Sequence, residues 1–197
     1  MSIDINGIKK GLIEITRTLI GYRLSTIPAG GGTTKPAVIK NRSGGNAPSF
    51  PYASIDEIGL RKVGRGSSSQ YFDDNEDEVS QFDYVGRFSI QINGGNDQDT
   101  QSISSELSSR LLTTQGLSLV GEHLLDAKIL KINSPTFLPS LMVTDYEEAS
   151  IFTLDLSIRD CIVDTTTEII ENVDVNGLIY DDFKTDDTPL SVQTIAP

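Results

Sequence analysis

Residues 152–159, FTLDLSIR, alternate apolar and polar side chains without a break. This period of two predicts a half-buried β-strand, with one face on a core and the other toward solvent. We expect the strand to run over residues 141–163. Its two predicted faces are an apolar one and a polar one: Phe152, Leu154, Leu156 and Ile158 inward, and Thr153, Asp155, Ser157 and Arg159 outward.

The preceding segment predicts a strand, a helix and a further strand. The first strand covers residues 82–92, with a bulge expected at Val85 and Gly86. After a Gly94-Gly95 turn, Asp97 or Asp99 is expected to cap a helix that Gly116 ends. Residues 117–125 are expected to form a short turn, residues 127–133 a strand, and Pro135 and Pro139 to hold a loop. The apolar positions of the predicted helix are Ile103, Leu107, Leu111 and Leu112.

The N-terminal region predicts an amphipathic helix followed by irregular chain. Asp4 is a suitable N-cap, and Gly21 can end the helix. Residues 28–50 are rich in Gly, Pro, Ser and Asn and are interpreted as a long loop, in which only 37–39 could be a short strand. Residues 52–63 are expected to be extended. The apolar stripe of the helix is Ile5, Ile8, Leu12, Ile15 and Leu19.

These elements predict an α+β fold, with an antiparallel or mixed sheet of four to five strands and two main helices packed on one face. The domain is expected to span residues 1–176. The acidic segment 64–81 is interpreted as a hairpin insertion, residues 167–175 as an edge strand, and residues 177–197 as a polar C-terminal tail.

Charge is distributed unevenly along the chain. The net charge is −12, but residues 1–65 carry ten Lys or Arg against four Asp or Glu, a net charge of +6, and the remainder carries −18. One interpretation is solubility alone. The other is head-to-tail contact between copies, in which the basic part of one meets the acidic part of the next.

Composition and motifs argue against several classes of function. No run of apolar residues is long enough to span a membrane, and the N-terminus lacks the pattern of a signal peptide. Cys161 is interpreted as a small core residue, and the single histidine, His123, as a surface or capping residue. One cysteine and one histidine cannot supply a structural zinc site. No catalytic residue, metal site or cofactor is therefore predicted.

Three short motifs fall short of known binding signatures. The run Asp73, Asn75, Asp77 is similar to the start of a calcium loop, but Glu78 replaces the required glycine and Tyr84 the final glutamate. Residues 30–35 lack the Gly-Lys-Ser/Thr order of a phosphate loop. The glycosylation triplet at residues 41–43 has no secretory context. Binding of a small ligand or Ca²⁺ by the acidic hairpin remains an alternative.

The order of elements resembles the tail-terminator, or neck-terminator, proteins of tailed bacteriophages. The segments that carry the resemblance are YVGRFSIQINGGNDQDTQSISSELSSRLLT (84–113), GLSLVGEHLLDAKILKINSPTFLPSLMVTDYEEASIFTLDLSIR (116–159) and ENVDVNG (171–177). The N-terminal helix and the segment PYASIDEIG (51–59) also fit the family's pattern. The segment 64–81 and the C-terminal tail look like additions to it.

The resemblance implies a structural virion protein rather than an enzyme. It implies a ring, usually a homohexamer, that caps the tail tube and joins it to the neck or connector, after assembly in the host cytoplasm. The implied partners are tail-tube, sheath and neck or connector proteins, while genome DNA passes through without specific binding, and no membrane is involved. Another head–tail joining protein or a tail-tube subunit is an alternative with similar elements.

The hairpin 64–81 is the expected contact with a neighbouring copy. It combines a small basic cluster, two aromatic residues and a run of carboxylates. The predicted interface residues are Arg61, Lys62, Arg65, Tyr71, Phe72, Asp73, Asp74, Glu76 and Asp77.

Overall fold

The computed structural model describes residues 3–41, 47–75, 77–95, 99–141 and 146–164, which contain three α-helices and nine strands. A single 3-10 turn, Gly21–Arg23, follows the first helix. The predicted edge strand at 167–175 and the tail 177–197 lie outside the described residues. In chain order the elements are α1 Ile5–Ile20, β1 Thr26–Gly30, β2 Thr33–Pro36, β3 Val38–Lys40, β4 Tyr52–Lys62, β5 Ser69–Phe72, β6 Glu78–Gly94, α2 Thr100–Leu111, α3 Thr114–His123, β7 Ala127–Ile132, β8 Thr136–Leu141 and β9 Tyr146–Asp164.

The main sheet is mixed and confirms the α+β class. Its strand order is β3-β4-β6-β9-β7, with β5 also paired to β6 and β8 to β9. Strands β3 and β4 run parallel, and the other pairs are antiparallel. The predicted number of four to five strands was wrong, because the described part of this sheet has seven. The additional strands are short edge segments, which carry little periodicity for a pattern to reveal.

The segment 28–50, expected to be a long loop, contains regular structure. Strands β1 and β2 pair as an antiparallel hairpin, and β3 follows. The turn between β1 and β2 uses Gly30, Gly31 and Gly32, whose φ angles of 91°, 60° and 79° are strained for any residue with a side chain. The glycines of this segment therefore form a tight turn between two strands. In the sequence-based prediction they are part of a long loop.

Two further segments differ from their predictions. Residues expected to be a short turn at 117–125 belong mostly to α3, which Thr113 caps by accepting a hydrogen bond from the Gly116 amide at 3.2 Å. The helix is hidden in the sequence because Gly116 lies in its first turn. The loop predicted around Pro135 and Pro139 contains β8, which pairs with β9 alone among the described strands, so Pro139 can occupy this edge strand without breaking a ladder.

The predicted N-caps of the first two helices are confirmed, but α2 ends at Leu111, before the predicted end at Gly116. Asp4 caps α1 by accepting a hydrogen bond from the Gly7 amide at 2.8 Å, and Asp99 caps α2 in the same way through Ser102 at 2.8 Å. Leu112, predicted to be an apolar position of this helix, is 60% exposed. All three helices contribute to one core cluster with the inward face of the sheet, including Phe88, Ile90, Ile92, Phe152, Leu154, Leu156 and Ile158.

The pairing of β6 with β9 is continuous over the full length of β6, so the bulge expected at Val85 and Gly86 was wrong. The bulge lies instead on β4, where the register shifts between Glu57 and Gly59. Gly86 has a packing role: an added Cβ would lie 2.8 Å from Ile158 Cδ1. A glycine is therefore needed at this position to leave room for Ile158, and not to bend the strand.

The central strands are much longer than the helices that cover them. β6 has 17 residues and β9 has 19, which corresponds to about 55–65 Å of extended chain. The longest helix, α1, has 16 residues, or about 24 Å. The helices can therefore cover only part of the sheet. Cys161, expected in the core, is exposed on β9 because it lies in the uncovered part.

Candidate assembly surface

The uncovered part of the sheet forms a projecting arm, which we define as residues 58–75, 77–85 and 159–164. It combines the end of β4, strand β5, the first half of β6 and the end of β9. Seven large apolar side chains on the arm are exposed. They are Ile58, Leu60, Val63, Tyr71, Phe72, Ile162 and Val163, each at least 37% exposed. They lie on both faces of the sheet, because successive strand residues alternate, and exposed apolar side chains in this number are typical of an interaction site.

The structure brings the described members of the predicted interface together on this arm. They occupy four consecutive parts of it, namely the end of β4, the turn that follows it, the strand β5 and the loop between β5 and β6. Glu76 lies outside the described residues. The members in chain order are Arg61 and Lys62 on β4, Arg65 in the following turn, Tyr71 and Phe72 on β5, and Asp73, Asp74 and Asp77 in the loop.

The basic part of the arm includes one cation held against an aromatic ring. The ammonium of Lys62 lies 3.9 Å from the centroid of the Phe82 ring, within the range of a cation–π contact. Arg61 and Arg65 are exposed and have no ion-pair partner among the described residues. These two guanidinium groups are therefore available to carboxylates of another molecule.

The aromatic part of the arm lies on β5, which pairs with β6 alone in the described chain. Tyr71 is 49% exposed and Phe72 57% exposed. Tyr71, Val79 and Val163 stand in one row across three strands, and Val79 is buried between its neighbours. The row connects Tyr71 to the rest of the sheet, whereas Phe72, the next residue, faces the other side of the strand.

The acidic loop is organised around one carboxylate. Asp73 Oδ1 accepts hydrogen bonds from the amides of Asn75 at 2.8 Å and Asp77 at 3.0 Å. These bonds close the turn, a common use of aspartate in loops. Among the described residues, no group of three or more His, Cys, Asp or Glu side chains could hold a metal ion.

An ion pair that sequence inspection did not identify lies on the sheet face opposite the helices. Arg87 donates two hydrogen bonds to Asp155, from Nε to Oδ1 at 2.7 Å and from Nη2 to Oδ2 at 2.9 Å. The hydrogen bonds and charge of Arg87 hold the pKa of Asp155 below its ordinary value of 3.8, although burial opposes the shift. The outward position of Asp155 was predicted, but its partner depends on the strand register.

We expect the substitution Asp155→Asn to lower stability near neutral pH and to matter less in acid. Because the pKa of Asp155 is lowered on folding, its contribution is present above its ordinary pKa and is lost as the pH falls through the lowered value. Urea unfolding of both proteins between about pH 6 and about pH 2 checks this. The exposed control Glu122→Gln should follow the wild type, and a constant gap for Asp155→Asn would contradict the pairing.

A second cluster of polar and charged side chains connects the segment that follows α1 to α2. It was also not predicted from the sequence. Glu106 accepts hydrogen bonds from the Tyr22 hydroxyl, from Arg110 Nε at 2.8 Å and from Arg23 Nη1 at 3.0 Å. The hydrogen bond from Tyr22, followed by the interactions with the two arginines, lowers the pKa of Glu106 below 4.5. Only the Glu106–Arg110 spacing of four residues could have been found in the sequence.

Two broader observations bear on the class of protein. No helix in the described part of the chain is both long and apolar enough to cross a membrane. His123 is the last residue of α3 and is partly exposed, and its side chain has no ion pair within the described ranges.

Comparison with known proteins agrees with the architecture. No curated protein matched the sequence. A family model described as phage neck terminator protein matches residues 7–182, which include all the described helices and strands except the first residues of α1. The match covers most of the chain, including the arm and its acidic loop. The chain therefore belongs to the phage neck terminator protein family, a structural family of the bacteriophage neck.

Proposed function

We propose that this protein is a ring-forming tail terminator, which caps the tail tube and joins it to the neck or connector in the virion. Membership of the neck terminator family supports a role in tail completion. The single observation that supports self-assembly is the projecting arm. It presents exposed aromatic and charged side chains on ordered strands. Monomeric proteins rarely expose many large apolar side chains together, so this exposure is typical of a protein–protein contact.

A ring requires a heterologous contact, in which one patch of a subunit meets a different patch of the next. The N-terminal 65 residues carry a net charge of +6 and the remainder −18, so the chain offers unlike surfaces for such a contact. We include the arm residues 61–77 in this contact. The overall charge of −12 also favours passage of DNA, because an acidic surface repels phosphate groups.

The proposal predicts self-association and binding to tube ends. Native mass spectrometry and negative-stain microscopy of the purified full-length chain should show closed rings, alone or after addition of tail tubes that lack the terminator. Sedimentation velocity should show the rings to dissociate at raised ionic strength, since unlike charges are screened by salt. A chain that stays monomeric and does not bind tube ends would contradict the proposal.

Replacing the two exposed aromatic side chains of the arm gives a more specific test. The double variant Tyr71→Ser, Phe72→Ser should reduce ring formation at least about tenfold, because exposed aromatic anchors dominate the binding energy of typical interfaces. Circular dichroism should remain unchanged, since both side chains are exposed. The double variant Leu112→Ser, Leu138→Ser, which changes exposed side chains away from the arm, serves as the control for general loss of surface apolarity.

A further inference from the structure

A groove at the junction of α3, β7 and β9 is an apolar concavity of the described chain. Its volume is about 680 Å³, within the range of pockets that take up ligands or partner side chains. Helix α3 contributes Leu117 and Val120, and β7 contributes Lys128 and Ile129. We refer to it as the α3–β7 groove.

Leu125 projects beside this groove and is held outward by the backbone. It is 80% exposed, whereas the preceding Leu124 is buried. The next residue, Asp126, has a φ of 60°, and its carbonyl accepts a hydrogen bond from the Arg159 amide at 2.9 Å. The turn is thus ordered on both sides of Leu125. Leu125 is therefore an ordered, exposed apolar side chain at the mouth of an apolar groove.

The rim of the groove is basic in a protein that is strongly acidic overall. Lys128 is exposed and has no ion-pair partner among the described residues. Arg159 also lines the groove, although its Nε lies 3.4 Å from Asp83 Oδ1. Asp126 is the single carboxylate in the lining. The groove therefore suits an occupant that combines apolar side chains with negative charge.

The arm's own end has that combination. Tyr71 and Phe72 are about half exposed, and Asp73, Asp74 and Asp77 follow within a few residues. The pairing of β5 with β6 prevents this end from reaching the groove of its own chain. Asp83 pairs with Arg159 at the groove, while Phe72 pairs with Glu78, five residues further along β6 and about 17 Å away. The matching acidic end must therefore come from another copy.

We propose that Tyr71, Phe72 and the carboxylates that follow them dock into the α3–β7 groove of a neighbouring copy, beside Leu125 and Lys128. The contact is heterologous, as a closed ring requires. This inference rests on the proposed ring, for which it names both halves of the subunit contact. Because successive residues of β5 point to opposite faces of the strand, the Tyr71 side chain enters the groove, and Asp74 approaches Lys128.

A charge exchange tests the assignment on the full-length protein. The single variants Asp74→Lys and Lys128→Glu should each weaken assembly about tenfold or more in sedimentation velocity, because like charges then face each other. The double variant should recover most of the lost affinity, since the pair is restored with reversed sign. The variant Lys10→Glu has the same charge change on α1 and should leave the affinity close to that of the wild type.

Cross-linking provides an independent readout in the background Cys161→Ser, which removes the exposed native thiol. Oxidation of Tyr71→Cys, Leu125→Cys should give a ladder of disulfide-linked multimers, because each subunit then joins two neighbours. Either cysteine alone should give no ladder. If neither single charge variant affects assembly, or if the double-cysteine variant gives no ladder, the groove assignment is wrong. The proposed ring is not contradicted by either result. A wild-type chain that never assembles contradicts the ring itself.

Discussion

Replacing Phe152 by alanine is expected to lower the free energy of unfolding by about 3–5 kcal/mol, because the cavity left by a buried phenyl ring refills only in part. Phe152 is 2% exposed and lies on β9 opposite Ile90, in the middle of the core shared by all three helices. A loss of this size is a large fraction of the stability of a typical domain. Few substitutions elsewhere should affect the protein as strongly.

Urea unfolding followed by far-UV circular dichroism measures this loss, since the chain contains no tryptophan for fluorescence. The matched control is Phe137→Ala, on edge strand β8, where the same side chain is 41% exposed. That change should lose about 1 kcal/mol or less. If Phe152→Ala does not fold, Phe152→Leu should show a smaller loss in the same direction. Equal losses at both phenylalanines would contradict the burial pattern.

Two glycines of α3 are expected to respond with opposite sign to the same substitution. A Cβ on Gly116 would lie 2.2 Å from the Arg110 carbonyl oxygen and 2.7 Å from that of Leu111. These are backbone atoms of α2, so the two helices would have to separate. Gly116→Ala should therefore lower the free energy of unfolding by about 1–3 kcal/mol, the usual range for overpacking.

Gly121 provides the internal control in the same helix. It is exposed, and nothing lies within 4 Å of an added Cβ. Gly121→Ala should raise the free energy of unfolding by about 0.5–1 kcal/mol, because alanine favours helix over glycine. Thermal unfolding of the two variants checks the pair. A stabilised Gly116→Ala protein would show that the tight α2–α3 connection is not a feature of the fold.

The prediction of elements from sequence succeeded where one signal was strong. The stripe of α1 and the caps at Asp4 and Asp99 were confirmed, as was the alternation that defines β9. It failed where two signals conflicted. Gly116 and Pro139 were interpreted as breakers, yet close packing on α2 and a position on an edge strand make them compatible with α3 and β8.

The candidate site was predicted only in part, for a similar reason. The sequence indicated the charged and aromatic segment between β4 and β6 as a contact region, and the structure brings its described members to one arm. The α3–β7 groove was not predicted. Its one local signal is the doublet Leu124-Leu125, since two successive leucines in a tight turn cannot both face the core. The groove itself depends on residues from three separate elements.

The sequence by itself determined the α+β class, the polarity of the two faces of β9, the bipolar charge and the resemblance to phage neck terminators. These properties follow from composition and from periodicity over a few residues. Only the tertiary structure decided the sheet of seven strands, the Arg87–Asp155 pair and the exposure of the arm. The reason is that register and helix length together set which part of a long sheet is covered, and neither is a local property of the chain.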